Sequence, residues 1–345
     1  MKKRVTIKDV AREAEVSIAT ISYVINNKDN LSKETIEKVN NTIRRLNYIP
    51  DLSARSLVNK KSTLIGIVIP QTEPGKQLMF NNPFYSEFIS GVEYTARLNG
   101  YHIIISGADA DESYLEISKK RNLDGIIILG AYPEEFFSDL KKSSIPIVLI
   151  DSYCDDHYFH SIQINDRYGG YIATRYLIEN GHRDIALLTG KIKKDGVSEK
   201  RYQGYKDALK EYEIPYRPDY VFEGLVDYDY GLNIADRILN SSRNLTAVFS
   251  TADIMAMGLI RRLKVLGVKI PDDMSVIGFD DVYITKLIDP GLTTVKQNIF
   301  LKGETSVKLI LDCINGKQRG KQEIILPIEI VERDTVKRLV RVEAG

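Results

Sequence analysis

Between positions 17 and 26 the chain carries Ser17, Ile18, Ala19, Thr20, Ser22, Tyr23 and Asn26, a cluster of hydroxyls, small apolar groups and one amide. On a helix, residues three and four apart share a face. Such a face suits the major groove of DNA. Hydroxyls bond phosphates or base edges, and Ile18 or Ala19 can touch thymine methyl groups. Ile21 and Val24 fall on the opposite side, where they can pack on a bracing helix whose own apolar residues are Val10 and Ala11. Thr6, at the head of that bracing helix, joins the candidate contacts. The same spacing also fits a small helical bundle that serves as a dimerisation module.

Three short helices would position these residues. Thr6 precedes Ile7-Lys8-Asp9 in a pattern close to a capping box, Ser17 can cap a second helix, and Ser32 a third with Ile36, Val39, Ile43 and Leu46 on one face. Pro50 breaks the chain after them. The following PDLSARSLVNKK reads as a linker or a marginal helix.

Charge is unevenly spread. Residues 1–61 hold 13 Lys and Arg against 7 Asp and Glu, a net of +6, while the remaining 284 of the 345 residues hold 35 against 40, a net of −5. A basic terminal segment suggests an anionic partner there, although a solubilising tail would look the same. Two cysteines, Cys154 and Cys313, make no disulfide framework and fit a reducing cytoplasm. The start MKKRVTIKDV lacks the apolar stretch of a signal peptide. No apolar run approaches the ~18 residues of a membrane span.

From residue 63 the pattern changes to apolar strands alternating with amphipathic helices, in two series of similar rhythm. That predicts two doubly wound parallel-sheet lobes with a ligand cleft at the carboxyl ends of their strands. No Gly-x-Gly-x-x-Gly, P-loop or Gly-x-Ser-x-Gly element opens a helix, which argues against an enzyme. Of the four histidines, only His157 and His160 lie close together, beside Asp155 and Asp156, and they read as a polar loop rather than a metal site.

VTIKDVAREAEVSIATISYVINN resembles the signature of the LacI family of bacterial transcriptional regulators. The resemblance continues through RRLNYIPDLSARSL, NPFYSEFISGVE, DGIIIL, IPIVLID, GHRDIALLTG, RYQGYKDAL, SVIGFDD and LPIEIVERDT. It implies an all-α helix-turn-helix headpiece at 1–49 and a hinge at 50–61. It also implies a periplasmic-binding-protein-like α/β core. The first lobe is expected at 62–161 and 291–322, and the second at 162–290 and 323–340. In the hinge, Ala54 and Leu57 match residues that enter the minor groove, where an apolar wedge unstacks a base step and bends the duplex. Packing of Leu57 on the core is the alternative.

By the same resemblance, Arg201 opens a second-lobe helix and points into the cleft. Asp280 follows a strand end and can accept from two hydroxyls or amines, and Tyr85 can stack on a ring face. An Arg–Asp–aromatic set suits a neutral polyol such as a sugar. Each residue has an ordinary alternative: a surface ion pair for Arg201, a helix cap for Asp280, a core ring for Tyr85. The implied protein is a cytoplasmic homodimer on a pseudo-palindromic operator, most often a repressor of carbohydrate-utilisation genes, with no cofactor or metal. A chain ending at Gly345, soon after the last strand, favours dimer over tetramer. A carbon-catabolite regulator controlled by a phosphorylated carrier protein is the alternative within the family.

Five positions depart from the family pattern. Glu15 stands where a turn glycine is usual, so the turn must avoid positive φ or accept strain. Tyr23 stands in place of an arginine common in the family. Asn165-Asp166 reverses a common Asp-Asn, and Ala252 replaces a polar residue before Asp253.

Overall fold

The computed structural model describes residues 5–25, 31–48, 61–70, 79–108, 122–130, 138, 140–153, 158–241, 245–318 and 320–339. The chain divides into two compact units, Met1–Thr63 and Leu64–Gly345. Asn26, Ala54, Leu57 and the hinge segment lie outside the described residues.

The first unit holds α1 (Ile7–Glu13), α2 (Ile18–Ile25) and α3 (Lys33–Arg45). Their apolar faces meet in one small core of Val10, Ala11, Ala14, Ile21, Val24, Val39 and Tyr48, with Val16, Ile36, Ile43 and Leu46 packed against it. Ser32 caps α3 by accepting from the Thr35 amide at 3.2 Å. The α1–α2 turn adopts positive φ at Glu15, 53°, so the chain accepts the strain that glycine would avoid. Two exposed ion pairs hold this corner on α3, Glu15 to Lys38 at 3.2 Å and Glu13 to Arg45 at 2.8 Å.

The second unit contains two six-stranded sheets. The strands of the first are β1 (Leu64–Pro70), β2 (His102–Ala108), β3 (Gly125–Leu129), β4 (Ile147–Ile150), β5 (His160–Ile164) and β11 (Glu323–Leu326). They pair in the order β11-β5-β4-β3-β1-β2, all parallel. The second sheet holds β6 (Ile185–Gly190), β7 (Val221–Gly224), β8 (Ala247–Ser250), β9 (Ser275–Asp280), β10 (Thr293–Gln297) and β12 (Ile328–Val331). Its order is β12-β10-β9-β8-β6-β7, with only the β10–β12 pair antiparallel. Strands β3, β4, β8 and β9 are buried throughout, which is why they read as unbroken apolar runs rather than alternating ones.

Strand pairing corrects the expected lobe boundaries. The expected start of the second lobe is residue 162, yet β5 lies wholly in the first sheet, beside β4. The expected return to the first lobe is at 291 and the exit from it at 323, whereas β10 pairs with β9 in the second sheet and β11 with β5 in the first. Hydrophobic rhythm shows where a strand lies but not which neighbour takes its backbone hydrogen bonds, so crossovers at strand ends were displaced by one strand.

Helices α4 (Pro83–Leu98) and α9 (Ile299–Ile314) pack together on the first sheet, and α5 (Asp166–Glu179) and α6 (Val197–Glu211) on the second. Helices α7 (Tyr228–Ser241) and α8 (Asp253–Val265) form a third pair. Glycines set how closely all three pairs approach, Gly231 and Gly258 in the case of α7 and α8. A Cβ on Gly170 would strike the Arg201 carbonyl, and one on Gly204 the Arg167 carbonyl, so α5 and α6 cross backbone to backbone. Gly91 and Gly303 do the same for α4 and α9. These crossings bring the first turn of α5 to Arg201 and carry Lys302 inward.

Candidate functional site

In the first unit, Ser17 caps α2. Its hydroxyl accepts from the Thr20 amide at 3.0 Å and shares a hydrogen bond with the Thr20 hydroxyl at 2.8 Å. Ser17, Ile18, Ala19 and Tyr23 are exposed and Thr20 and Ser22 half-buried, while Ile21 and Val24 of the same helix are buried. Ile18 and Tyr23 leave 45% and 42% of their surface in solvent, an apolar and an aromatic group on the side away from the small core. The Thr6 hydroxyl donates to Asp9 at 2.7 Å, so it helps begin α1 and keeps only its acceptor side for another partner.

In the second unit, Arg201 is buried, and it is the fifth residue of α6 rather than the one that opens the helix. Its Nε donates to Asp166 Oδ1 at 2.6 Å, and Nη1 donates to the Thr251 carbonyl at 2.6 Å and lies 3.5 Å from Asp280 Oδ1. The guanidinium sits 3.5 Å from the centroid of the Phe279 ring. Burial alone would lower the arginine pKa, but Asp166 and Asp280 hold it above its ordinary value. Asp166, the first residue of α5, takes the Tyr153 hydroxyl on Oδ2 at 2.6 Å. This burial, together with the Asp166 charge, pushes the Tyr153 phenol far up.

Asp280 ends β9 at φ 121°, and Asp281 follows at φ 58°. Non-glycine backbone of this kind persists only where its surroundings fix it. Gln297 Nε2 donates to Asp280 Oδ1 at 2.7 Å, and Gln297 Oε1 accepts from Lys302 Nζ at 2.6 Å. Lys302, fully buried on α9, completes its bonds at the two oxygens of Asp151, 2.7 and 2.8 Å away. A polar chain therefore runs from Asp151 and Lys302 of the first lobe through Gln297 to Asp280, Arg201 and Asp166 of the second. Burial raises the Asp280 pKa to about 6, with Arg201 opposing.

Tyr85, on the first turn of α4, is half-buried with Phe84 edge-on at 5.6 Å. Burial first, then the charges of Asp280 and Asp151, push its phenol up to about 12, so it stands near both carboxylates as a neutral hydroxyl. The structure thus gathers Tyr85, Arg201 and Asp280 at one place between the lobes. Close by, Glu87 of α4 accepts from the Tyr283 amide of the second lobe at 2.5 Å. Among the described residues, the Tyr85 hydroxyl, Asp280 Oδ2 and Arg201 Nη2 have no hydrogen-bond partner. One donor-only nitrogen, one acceptor-only oxygen and one hydroxyl suit a ligand whose groups both donate and accept.

Sequence reasoning missed Asp151, Tyr153, Gln297 and Lys302, and treated Asp166 only as a departure. Lys302 left a signal: it falls on the buried stripe of α9 with Ile299, Gly303, Ser306 and Ile310. A charge on an apolar stripe implies a buried partner. Asp253, by contrast, has both oxygens taken by its own lobe, from Thr294 at 2.7 Å and the Val282 amide at 3.1 Å. Asp253 thereby ties the start of α8 to β10 and to the loop after β9, and Ala252 before it is buried. His160 bonds Cys313 Sγ at 3.2 Å and the Gln322 amide at 3.1 Å. No group of three or more metal-ligating side chains occurs among the described residues, and no described helix is long and apolar enough to cross a membrane.

A capped helix-turn-helix followed by a two-lobed α/β core with a buried polar cluster between the lobes defines a ligand-responsive DNA-binding regulator. Residues 6–51 match the pattern "Bacterial regulatory proteins, lacI family", and residues 174–336 match a "Periplasmic binding protein-like domain". Catabolite control protein A of Priestia megaterium is 35% identical over 338 residues, covering 96% of this chain and 99% of that one. The HTH-type transcriptional repressor PurR of Vibrio parahaemolyticus is 36% identical over 340 residues, covering 97% and 99%. A lac repressor dimer bound to operator and the anti-inducer ONPF superposes with a TM-score of 0.83 at 27% identity, covering 97% of this chain and all of that one. The chain belongs to the LacI family of transcriptional regulators, and it is not an enzyme.

Proposed function

We propose that this regulator is a cytoplasmic homodimeric repressor of carbohydrate-utilisation genes, and that a small hydroxyl-rich effector such as a sugar binds between its core lobes. The operator is a pseudo-palindrome read by Ser17, Ile18, Ala19, Thr20, Ser22, Tyr23 and Asn26, with Thr6 among the contacts at the head of α1 and Ala54 and Leu57 in the minor groove. The observation that carries the effector reading is the convergence of three polar atoms without protein partners, on Tyr85, Arg201 and Asp280. A sugar hydroxyl donates to the carboxylate and accepts from the guanidinium at once.

The test is calorimetry with a panel of sugars beside operator titration of the same preparations. Arg201→Ala and Asp280→Ala are expected to weaken effector binding by ~2–4 kcal/mol, about thirty- to thousand-fold, and to leave operator affinity without effector nearly intact. Variants that bind the sugar normally overturn the cleft assignment. The 35% identity to a catabolite control protein favours one second reading, a phosphorylated carrier protein as the controlling partner. Operator affinity that responds to such a carrier and to no sugar supports it.

A further inference from the structure

The buried cluster between the lobes contains more charge than a neutral ligand needs. Asp151, Asp166 and Asp280 face Arg201 and Lys302, three carboxylates against two cations, and every one of these side chains is nearly or fully buried. How the charges are paired decides what a ligand meets. Lys302 spends its three protons on Asp151 Oδ1, Asp151 Oδ2 and Gln297 Oε1, at 2.7, 2.8 and 2.6 Å. Asp151 is thereby used on both oxygens by the protein's own ammonium. Gln297 is fixed in one orientation, since its oxygen meets a cation and its nitrogen meets the Asp280 carboxylate at 2.7 Å. A ligand is left one guanidinium nitrogen, one carboxylate oxygen and a phenol.

We propose that Lys302 is a specificity-determining residue that fills the cation subsite of the cleft from within, so that the effector is an uncharged hydroxyl-bearing molecule rather than its amino or acidic counterpart. The inference rests on the cleft being the effector site. A ligand ammonium finds its best counter-charge, Asp151, already paired. A ligand carboxylate or phosphate enters a floor with an excess carboxylate, where low dielectric magnifies repulsion. Lys302 also lies 5.7 Å from the Phe84 ring centroid, next to Tyr85, so its charge is felt where the first lobe meets the ligand. A purely structural Lys302 would serve stability alone and leave charge preference unchanged.

The experiment measures binding of neutral hexoses and pentoses, and of their amino, uronic-acid and phosphate-ester counterparts, to the full chain by calorimetry. In the wild type the neutral members bind and their acidic counterparts are weaker by about a hundredfold or more. Lys302→Met frees Asp151, and the amino counterpart gains at least about tenfold relative to the neutral sugar. Asp151→Asn is the mirror case: Lys302 keeps its charge without a counter-ion, and the acidic counterpart gains by a similar factor. The double variant Asp151→Asn/Lys302→Met restores the wild-type order. If Lys302→Met does not fold, Asp151→Asn and the double variant carry the test. Amino and acidic preferences that stay within about threefold of wild type in the single variants overturn the role of Lys302. A panel in which no neutral member binds, or in which acids bind best, overturns the neutral-ligand class. Binding that survives Arg201→Ala unchanged means the probe sits elsewhere, and then the cleft assignment itself fails.

Discussion

Asp280 is the side chain whose protonation the cleft reads most directly. Its folded pKa, about 6, is raised above the ordinary carboxylate value of 3.8 by burial, so it is ionised at neutral pH and loses its charge just below. A hydroxyl donating to Oδ2 needs the ionised form. Effector affinity measured by calorimetry should therefore fall about tenfold between pH 7.5 and pH 5, one unit below the folded pKa. Stability moves the other way. A carboxyl with a raised folded pKa favours the folded state below its unfolded value and loses that contribution as pH rises through about 6. Denaturant titrations of the wild type and Asp280→Asn isolate this group: the variant should gain on the wild type between pH 4 and pH 7, and a constant difference would contradict the assignment.

Helix pairs position these side chains, and their tolerances are small. Gly204 has no room for a Cβ against the Arg167 carbonyl, and Gly170 has none against the Arg201 carbonyl. Gly204→Ala must push α5 and α6 apart, at a cost of roughly 1–3 kcal/mol. The 2.6 Å bond from Arg201 to Asp166 bridges these two helices, so effector affinity should drop together with thermal stability. Normal stability and binding in that variant would mean the crossing relaxes without cost. The headpiece offers the opposite case. Glu15→Gly removes a non-glycine residue from φ 53° and sacrifices only an exposed ion pair to Lys38. It should stabilise the headpiece by roughly 0.5–1 kcal/mol, read as slower hydrogen exchange of the α1 and α2 amides in the full chain.

The whole molecule divides its labour by charge. Residues 1–61 carry a net +6 and the remainder a net −5. Specific operator affinity should fall steeply and log-linearly with salt, as headpiece cations replace the counterions condensed on DNA. Deletion of residues 1–61 should abolish operator binding and leave a folded, effector-binding core; sequence-specific binding by that truncation would refute the headpiece assignment. Leu57→Ala should weaken specific binding by ~1–3 kcal/mol and reduce bending in a permuted-site assay, with nonspecific affinity little changed. Effector and operator can influence each other only if each distinguishes two arrangements of the core.

The sequence by itself determined the helix starts at Thr6, Ser17 and Ser32, the apolar faces of the headpiece and the positions of the core strands up to β9, because caps and hydrophobic periods are local properties. Through its resemblance to a known family it also placed Arg201, Asp280 and Tyr85 as candidates. Only the tertiary structure decided which strands β5, β10 and β11 join, since pairing partners are far apart in the chain. It alone decided the counter-ions: Asp151 and Lys302 are 151 residues apart, and Asp166 and Arg201 meet because two glycines let their helices touch. A buried charge is specified by what surrounds it in space, and spacing along the chain does not record that.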